Sequence, residues 1–139
     1  MNFLPVYLDT SAIVKLVTVE PGTDALLTSL ARWTDRVSSV ISRAEVHRAI
    51  RRTGGSAAIR ARADEVLSAL VLVRLDDAVL TRAAALRDPL LRTLDAIHLA
   101  SALSLGDEPD AFITYDARLA RAAARQRLRV ESPGVDQLP

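Results

Sequence analysis

Val6-Tyr7-Leu8-Asp9-Thr10-Ser11 holds the pattern on which the fold is read. Three apolar residues form a run short enough for a buried strand, and an acid closes it. A helix from Ser11 to about Val17 follows directly, and Asp9 is a good N-cap for a helix starting at Thr10 or Ser11. A strand that passes into a helix through a carboxylate recurs further along. Ala111-Phe112-Ile113-Thr114 reads as a strand, and Asp116 caps an alanine- and arginine-rich helix, Ala117 to about Gln126.

The intervening chain keeps the alternation. Pro21-Gly22 breaks the first helix and opens a second, Thr23 to about Trp33. Arg36 to Val40 is a strand. Ser42 begins a helix with Val46, Ala49 and Ile50 on one face, ended by Gly54-Gly55. Ser56 to about Leu70 is amphipathic, and Leu72 to Leu75 is strand-like. Asp76 caps a helix that stops near Asp88-Pro89. Thr93 to about Leu105 is a helix closed by Gly106, and Leu128 to Glu131 is the last strand. Alternating strands and helices predict right-handed crossovers and a mostly parallel sheet covered on both faces. There is no repeat, no low-complexity segment and no linker, so residues 1–139 read as a single domain.

Composition narrows the chemistry. Of 139 residues, 50% are hydrophobic and only 4% aromatic, so the core is aliphatic. The formal charge of +1 announces no basic partner-binding surface. Lys15 is the only lysine, and every other basic side chain is arginine, which offers phosphate the bidentate contacts that lysine lacks. The absence of cysteine excludes disulfides, thiolate metal sites and thiol nucleophiles. No apolar stretch approaches the ~20 residues of a membrane span. The first residues lack the pattern of a signal peptide, and a cytoplasmic protein is expected.

Four carboxylates carry the functional information: Asp9, Glu45, Asp95 and Asp116. Each stands near a predicted helix start, on the edge where open parallel sheets bind ligands. Each also has a local explanation. Ser42-Arg43-Ala44-Glu45 matches a capping box, Asp95 suits the first turn of a helix opened by Thr93, and Asp9 and Asp116 are N-cap residues. If the four meet, their charges repel unless a cation lies between them. Oxygen donors without cysteine favour Mg²⁺ or Mn²⁺ over zinc.

The segments around these acids resemble the PIN-domain nucleases, and within them the VapC toxins of type II toxin–antitoxin systems. They are Tyr7-Leu8-Asp9-Thr10-Ser11-Ala12-Ile13-Val14-Lys15-Leu16, Ser42-Arg43-Ala44-Glu45-Val46, Leu94-Asp95-Ala96-Ile97-His98-Leu99-Ala100-Ser101-Ala102, and Phe112-Ile113-Thr114-Tyr115-Asp116-Ala117-Arg118-Leu119. The resemblance implies a three-layer α/β/α fold with a central, mostly parallel sheet of four to five strands. It implies Asp9, Glu45 and Asp95 as principal metal-site carboxylates, and Asp116 as a fourth that binds a second metal or acts through water. Thr10, Ser11 and Thr114 would hold carboxylates or water in place. The implied activity is a Mg²⁺- or Mn²⁺-dependent endoribonuclease acting on tRNA or rRNA, leaving 5′-phosphate and 3′-hydroxyl ends. The implied partners are a VapB-type antitoxin whose C-terminal segment enters the acidic groove, and a second copy of the chain, giving a homodimer and a heterotetramer or larger assembly with antitoxin.

His98, three residues after Asp95, either orients a carboxylate or is a hydrogen-bonded histidine among Ile97, Leu99 and Ala100. Arg43, Arg48, Arg51 and Arg52 share the Glu45 helix, and Arg43, Arg92 and Arg118 are the stronger candidates for gripping RNA phosphates. Tyr115 is the only ring beside a site acid, and Trp33 belongs to core or interface. Two other functions fit a set of acids at strand ends: a non-toxin PIN nuclease of RNA processing, and an aspartyl-phosphate phosphatase or receiver domain. The latter needs a late lysine or a D-x-D motif, and residue 11 is serine. Neither a GxxxxGK[ST] nor a GxGxxG phosphate loop is present.

Overall fold

The computed structural model describes residues 4–106, 109–136 and 138. In chain order they form β1 (Val6–Leu8), α1 (Thr10–Val17), α2 (Thr23–Leu30), β2 (Arg36–Ser39), α3 (Ser42–Arg52), α4 (Ala57–Ser68), β3 (Val71–Val73), α5 (Asp77–Ala85), α6 (Thr93–Leu103), β4 (Ala111–Ile113), α7 (Ala117–Arg125) and β5 (Val130–Glu131). The strands make one sheet in the order β3-β2-β1-β4-β5, with every pairing parallel. The chain builds outward from β1 to β3, then returns to the other side of β1 to lay down β4 and β5. The strand order therefore reverses between β1 and β4, and a crevice opens at their C-terminal ends.

Alternation along the central strands divides the interior in two. Val6, Leu8, Ala111 and Ile113 face one core with Ile13, Leu16, Leu26, Leu30, Val46, Ile50 and Leu67, drawn from α1 to α4. Tyr7 and Phe112 face the other core with Leu99, Leu119, Ala122 and Leu128, drawn mainly from α6 and α7. The result is the expected three-layer α/β/α fold, with five strands. The apolar residues of α1, α2 and α4 mostly supply the first core, although Leu27 is left exposed. Among the described residues, no helix is long and apolar enough to cross a membrane.

Some local expectations give way to longer-range contacts. The capping box at Ser42 does not form. Ile41 occupies the cap position without a side-chain bond, while the buried Ser42 hydroxyl pairs with Ser38 Oγ at 2.7 Å. Likewise Arg92, not Thr93, precedes the first residue of α6 and gives no side-chain cap. Helix α2 ends at Leu30, short of Trp33. Trp33 is buried, and its indole N–H donates to Asp110 Oδ2 at 2.8 Å. Strand β5 begins at Val130 because Arg127 adopts positive φ and Leu128 turns into the second core.

Candidate active site

Asp9 directly follows β1, the central strand, and is 3% exposed. Its Oδ1 accepts from Ser11 Oγ at 2.7 Å and from the Ala12 amide at 3.0 Å, so it is an N-cap as well as a site acid. Its Oδ2 accepts from Thr114 Oγ1 at 2.6 Å. Thr114 in turn accepts from the Asp116 amide at 3.0 Å, and Ser11 from the Tyr115 amide at 2.8 Å. Thr114 and Ser11 thus stitch the ends of β1 and β4 together around one carboxylate. Burial raises the Asp9 carboxyl, and the bonds from Ser11, Thr114 and Ala12 oppose the rise.

Glu45 reaches the same edge from the first turn of α3. Instead of turning back to its own helix, its Oε1 accepts from Thr10 Oγ1 at 2.7 Å and lies 2.7 Å from His98 Nε2. Burial pushes its carboxyl up, but the hydrogen bonds from His98 and Thr10 outweigh that and lower it. Asp95, in the first turn of α6, stands 3.8 Å from Arg92 Nε. Its carboxyl is raised by burial and next by the charge of Asp116, with Asp9 adding to the effect and Arg92 opposing it. Asp116 caps α7, its Oδ1 accepting from the Leu119 amide at 2.9 Å.

The fold therefore brings Asp95 within electrostatic range of both Asp116 and Asp9, and Glu45 is held by His98, from the same helix as Asp95, and by Thr10, next to Asp9. Among the described residues, no three acid or histidine side chains already form a cage for an ion. The donor set nonetheless suits a hard divalent cation. Every acid offers carboxylate oxygen, and a cation would relieve both the buried Asp9 and Asp95, which burial and neighbouring acids raise.

His98 satisfies both of its sequence readings. It is 1% exposed and hydrogen-bonded, and the carboxylate it engages is Glu45 rather than Asp95, its neighbour on α6. Its second partner, Tyr7, reads from sequence only as an apolar strand residue. Alternation put Tyr7 on the opposite sheet face from Val6 and Leu8, but nothing local signalled a polar partner there.

The arginines divide by location. Arg48 and Arg52 line a pocket of about 420 Å³ together with Thr10, Ile41, Glu45 and Leu94. Arg92 lies beside Asp95. Arg43 lines a separate cleft with His47 and Asp64, and Arg118 one with Asp88, Arg121 and Arg125. Lys15 points elsewhere: its Nζ lies 4.5 Å from the centroid of the Tyr115 ring and donates to the Pro21 carbonyl at 3.0 Å.

Residues 6–125 match the family model described as the PIN domain. Ribonuclease VapC46 of Mycobacterium tuberculosis is 46% identical over 128 residues, covering 92% of this chain and 97% of the relative. Ribonuclease VapC35 of the same species is 39% identical over 138 residues, covering 93% and 97%. VapBC2 from Rickettsia felis, solved bound to a DNA fragment from its promoter, superposes with a TM-score of 0.72 at 17% identity, covering 92% of this chain and 98% of that one. VapC20 of M. tuberculosis, a sarcin–ricin loop cleaving toxin, superposes with a TM-score of 0.67 at 17% identity, covering 84% and 94%. With the family pattern spanning the strands and helices that position all four acids, the chain belongs to the PIN-domain family, among its VapC ribonucleases.

Proposed function

We propose that this protein is the endoribonuclease toxin of a VapBC-type pair and that it hydrolyses RNA phosphodiester bonds with Mg²⁺ or Mn²⁺. The observation that carries the reading is the gathering of acids at one sheet edge: Asp9 after β1, Glu45 in the first turn of α3, Asp95 in the first turn of α6 and Asp116 at the cap of α7. Carboxylates placed against each other in this way suit a cation more than they suit a protein fold. Asp9, Glu45 and Asp95 would hold it, with Asp116 at a second position or acting through water. When bound, the ion supplies Lewis-acid activation of water and neutralises charge developing on phosphate.

The protein's own side chains do the positioning. Thr114, Ser11 and the Ala12 amide fix the Asp9 carboxylate before any ligand arrives. Thr10 and His98 keep Glu45 ionised. Arg48, Arg52 and Arg92 flank the acids and can draw in an RNA strand through its phosphates. Arg43 and Arg118 would meet only more distant parts of a substrate. A structured RNA such as tRNA or rRNA is the substrate class, in keeping with the relative described as a sarcin–ricin loop cleaving toxin. A VapB-type antitoxin would inhibit by placing a basic side chain among the carboxylates, and a homodimer of the toxin would carry two such inhibitors.

The experiment is cleavage of total cellular RNA with end-group mapping, using Asp9→Asn as the control. Activity should vanish in EDTA, return with Mg²⁺ or Mn²⁺, leave 5′-phosphate ends, and be suppressed by the co-expressed antitoxin. Cleavage that persists in EDTA and leaves 2′,3′-cyclic phosphates would overturn the proposal.

A further inference from the structure

Tyr7 and His98 are separated by 91 positions, and both are buried where a polar group needs a partner. Tyr7 lies in the middle of β1 with its ring stacked on Phe112, centroids 5.1 Å apart and planes 4° from parallel. Its hydroxyl is 2.8 Å from His98 Nδ1. The other imidazole nitrogen, Nε2, is 2.7 Å from Glu45 Oε1 and 3.1 Å from Thr10 Oγ1. Thr10 also donates to Oε1 at 2.7 Å, so its proton is already committed.

The donors and acceptors along this line are constrained. A carboxylate oxygen only accepts, so His98 Nε2 must carry a proton. A neutral imidazole then has its lone pair at Nδ1, facing the Tyr7 hydroxyl. A phenol keeps its proton at neutral pH, so this hydroxyl can donate it. One oxygen of Glu45, Oε1, thus takes two donors, and Oε2 remains for a ligand.

We propose that Tyr7 is a positioning residue for the candidate active site: its buried hydroxyl holds His98 in the Nε2–H tautomer, so that His98 and Thr10 clamp Glu45 Oε1 and present Oε2 to the cation. The role of Oε2 rests on the proposed nuclease reading, whereas the tautomer does not. Tyr7 touches neither substrate nor ion and acts two residues removed, through His98 and then Glu45. The arrangement is a histidine–carboxylate pair with the histidine in the outer position, a place from which side chains tune metal affinity by orienting ligands.

Two measurements on the full-length protein test it. The first is the ¹⁵N spectrum of the histidine rings, with His47→Gln used to assign the two. Wild-type His98 should show a protonated Nε2 and a bare Nδ1, and Tyr7→Phe, which keeps the Phe112 stack, should disturb that state. The second is Mn²⁺ binding followed by the electron-spin resonance of the free ion. Tyr7→Phe should weaken binding by roughly 10-fold. His98→Gln, whose side-chain amide can still donate to Glu45, should bind better than His98→Ala. A proton on Nδ1 in the wild type overturns the proposal, as does a Tyr7→Phe protein with unchanged ring spectrum and unchanged Mn²⁺ affinity. A wild-type protein that binds no Mn²⁺ overturns the nuclease reading instead, and the ring spectrum still decides the tautomer.

Discussion

Thr114 donates its hydroxyl proton to Oδ2 of Asp9 at 2.6 Å, across 105 positions of sequence. The contact exists because β1 and β4 are parallel neighbours in a register that pairs Leu8 with Ile113, setting the next residue of each strand side by side. It is one of three bonds that hold a buried carboxylate in a single orientation. Thr114→Val keeps the shape and removes the donor. It should cost about 1–3 kcal/mol of stability in denaturant melts and lower cleavage by roughly 10- to 100-fold. Thr114→Ser should retain most of both. Equal activity in the valine and serine variants would show that Asp9 needs no such support.

Asp95 makes a prediction about stability and pH. Burial and then Asp116 raise its carboxyl, so the folded state holds this proton more tightly than the unfolded chain does. In EDTA, the stability contributed by this group falls as pH climbs from the ordinary carboxylate range to the raised value, and stays low above it. Asp95→Asn removes that loss. The variant should be inactive yet melt roughly 2–6 °C above wild type at pH 7, with the gap closing in acid. A variant that melts lower at pH 7 would contradict the sign.

Arg48 and Arg52 share a pocket with Glu45 and Thr10, whereas Arg43 does not. Alanine at Arg48 or Arg52 should raise KM several-fold with little change in kcat, and flatten the dependence of RNA affinity on salt by about one unit of slope per lost phosphate contact. Arg43→Ala should do less. Steady-state kinetics at several salt concentrations check this, and a larger effect from Arg43 would move the RNA path to the other side of α3.

Lys15 separates the nuclease from an aspartyl-phosphate enzyme. Its ammonium group is engaged by the Tyr115 ring and the Pro21 carbonyl, and it lies 3.5 Å from Glu20. Lys15→Met should leave RNA cleavage within about 2-fold and lower stability by about 1 kcal/mol at most. Loss of cleavage with an unchanged melting curve would return Lys15 to the chemistry.

Periodicity and punctuation were enough to find every strand and helix, because apolar spacing and Gly, Pro and cap residues act within a few positions. Asp9, Asp76 and Asp116 do cap the helices they precede. The same local reasoning failed at Ser42, where a partner four residues upstream in β2 took the hydroxyl. It picked Arg43, Arg92 and Arg118 by their nearness in sequence to the acids, while long side chains make position along a helix a loose guide to the cleft they line.

By itself, then, the sequence determined an alternating α/β chain with four acids at helix starts, since each of those features is written in neighbouring residues. Only the tertiary structure decided which acid is held by what. Beyond the local bonds from Ser11 and Ala12, the pairs Thr114–Asp9, Thr10–Glu45, His98–Glu45 and Tyr7–His98 span 35 to 105 positions. Strand order and register bring them together, and burial then forces each polar atom to find a partner there. That is why Glu45 answers to Thr10 and His98 instead of its own helix, and why Tyr7, apolar by every local measure, ends as the outermost support of the acidic site.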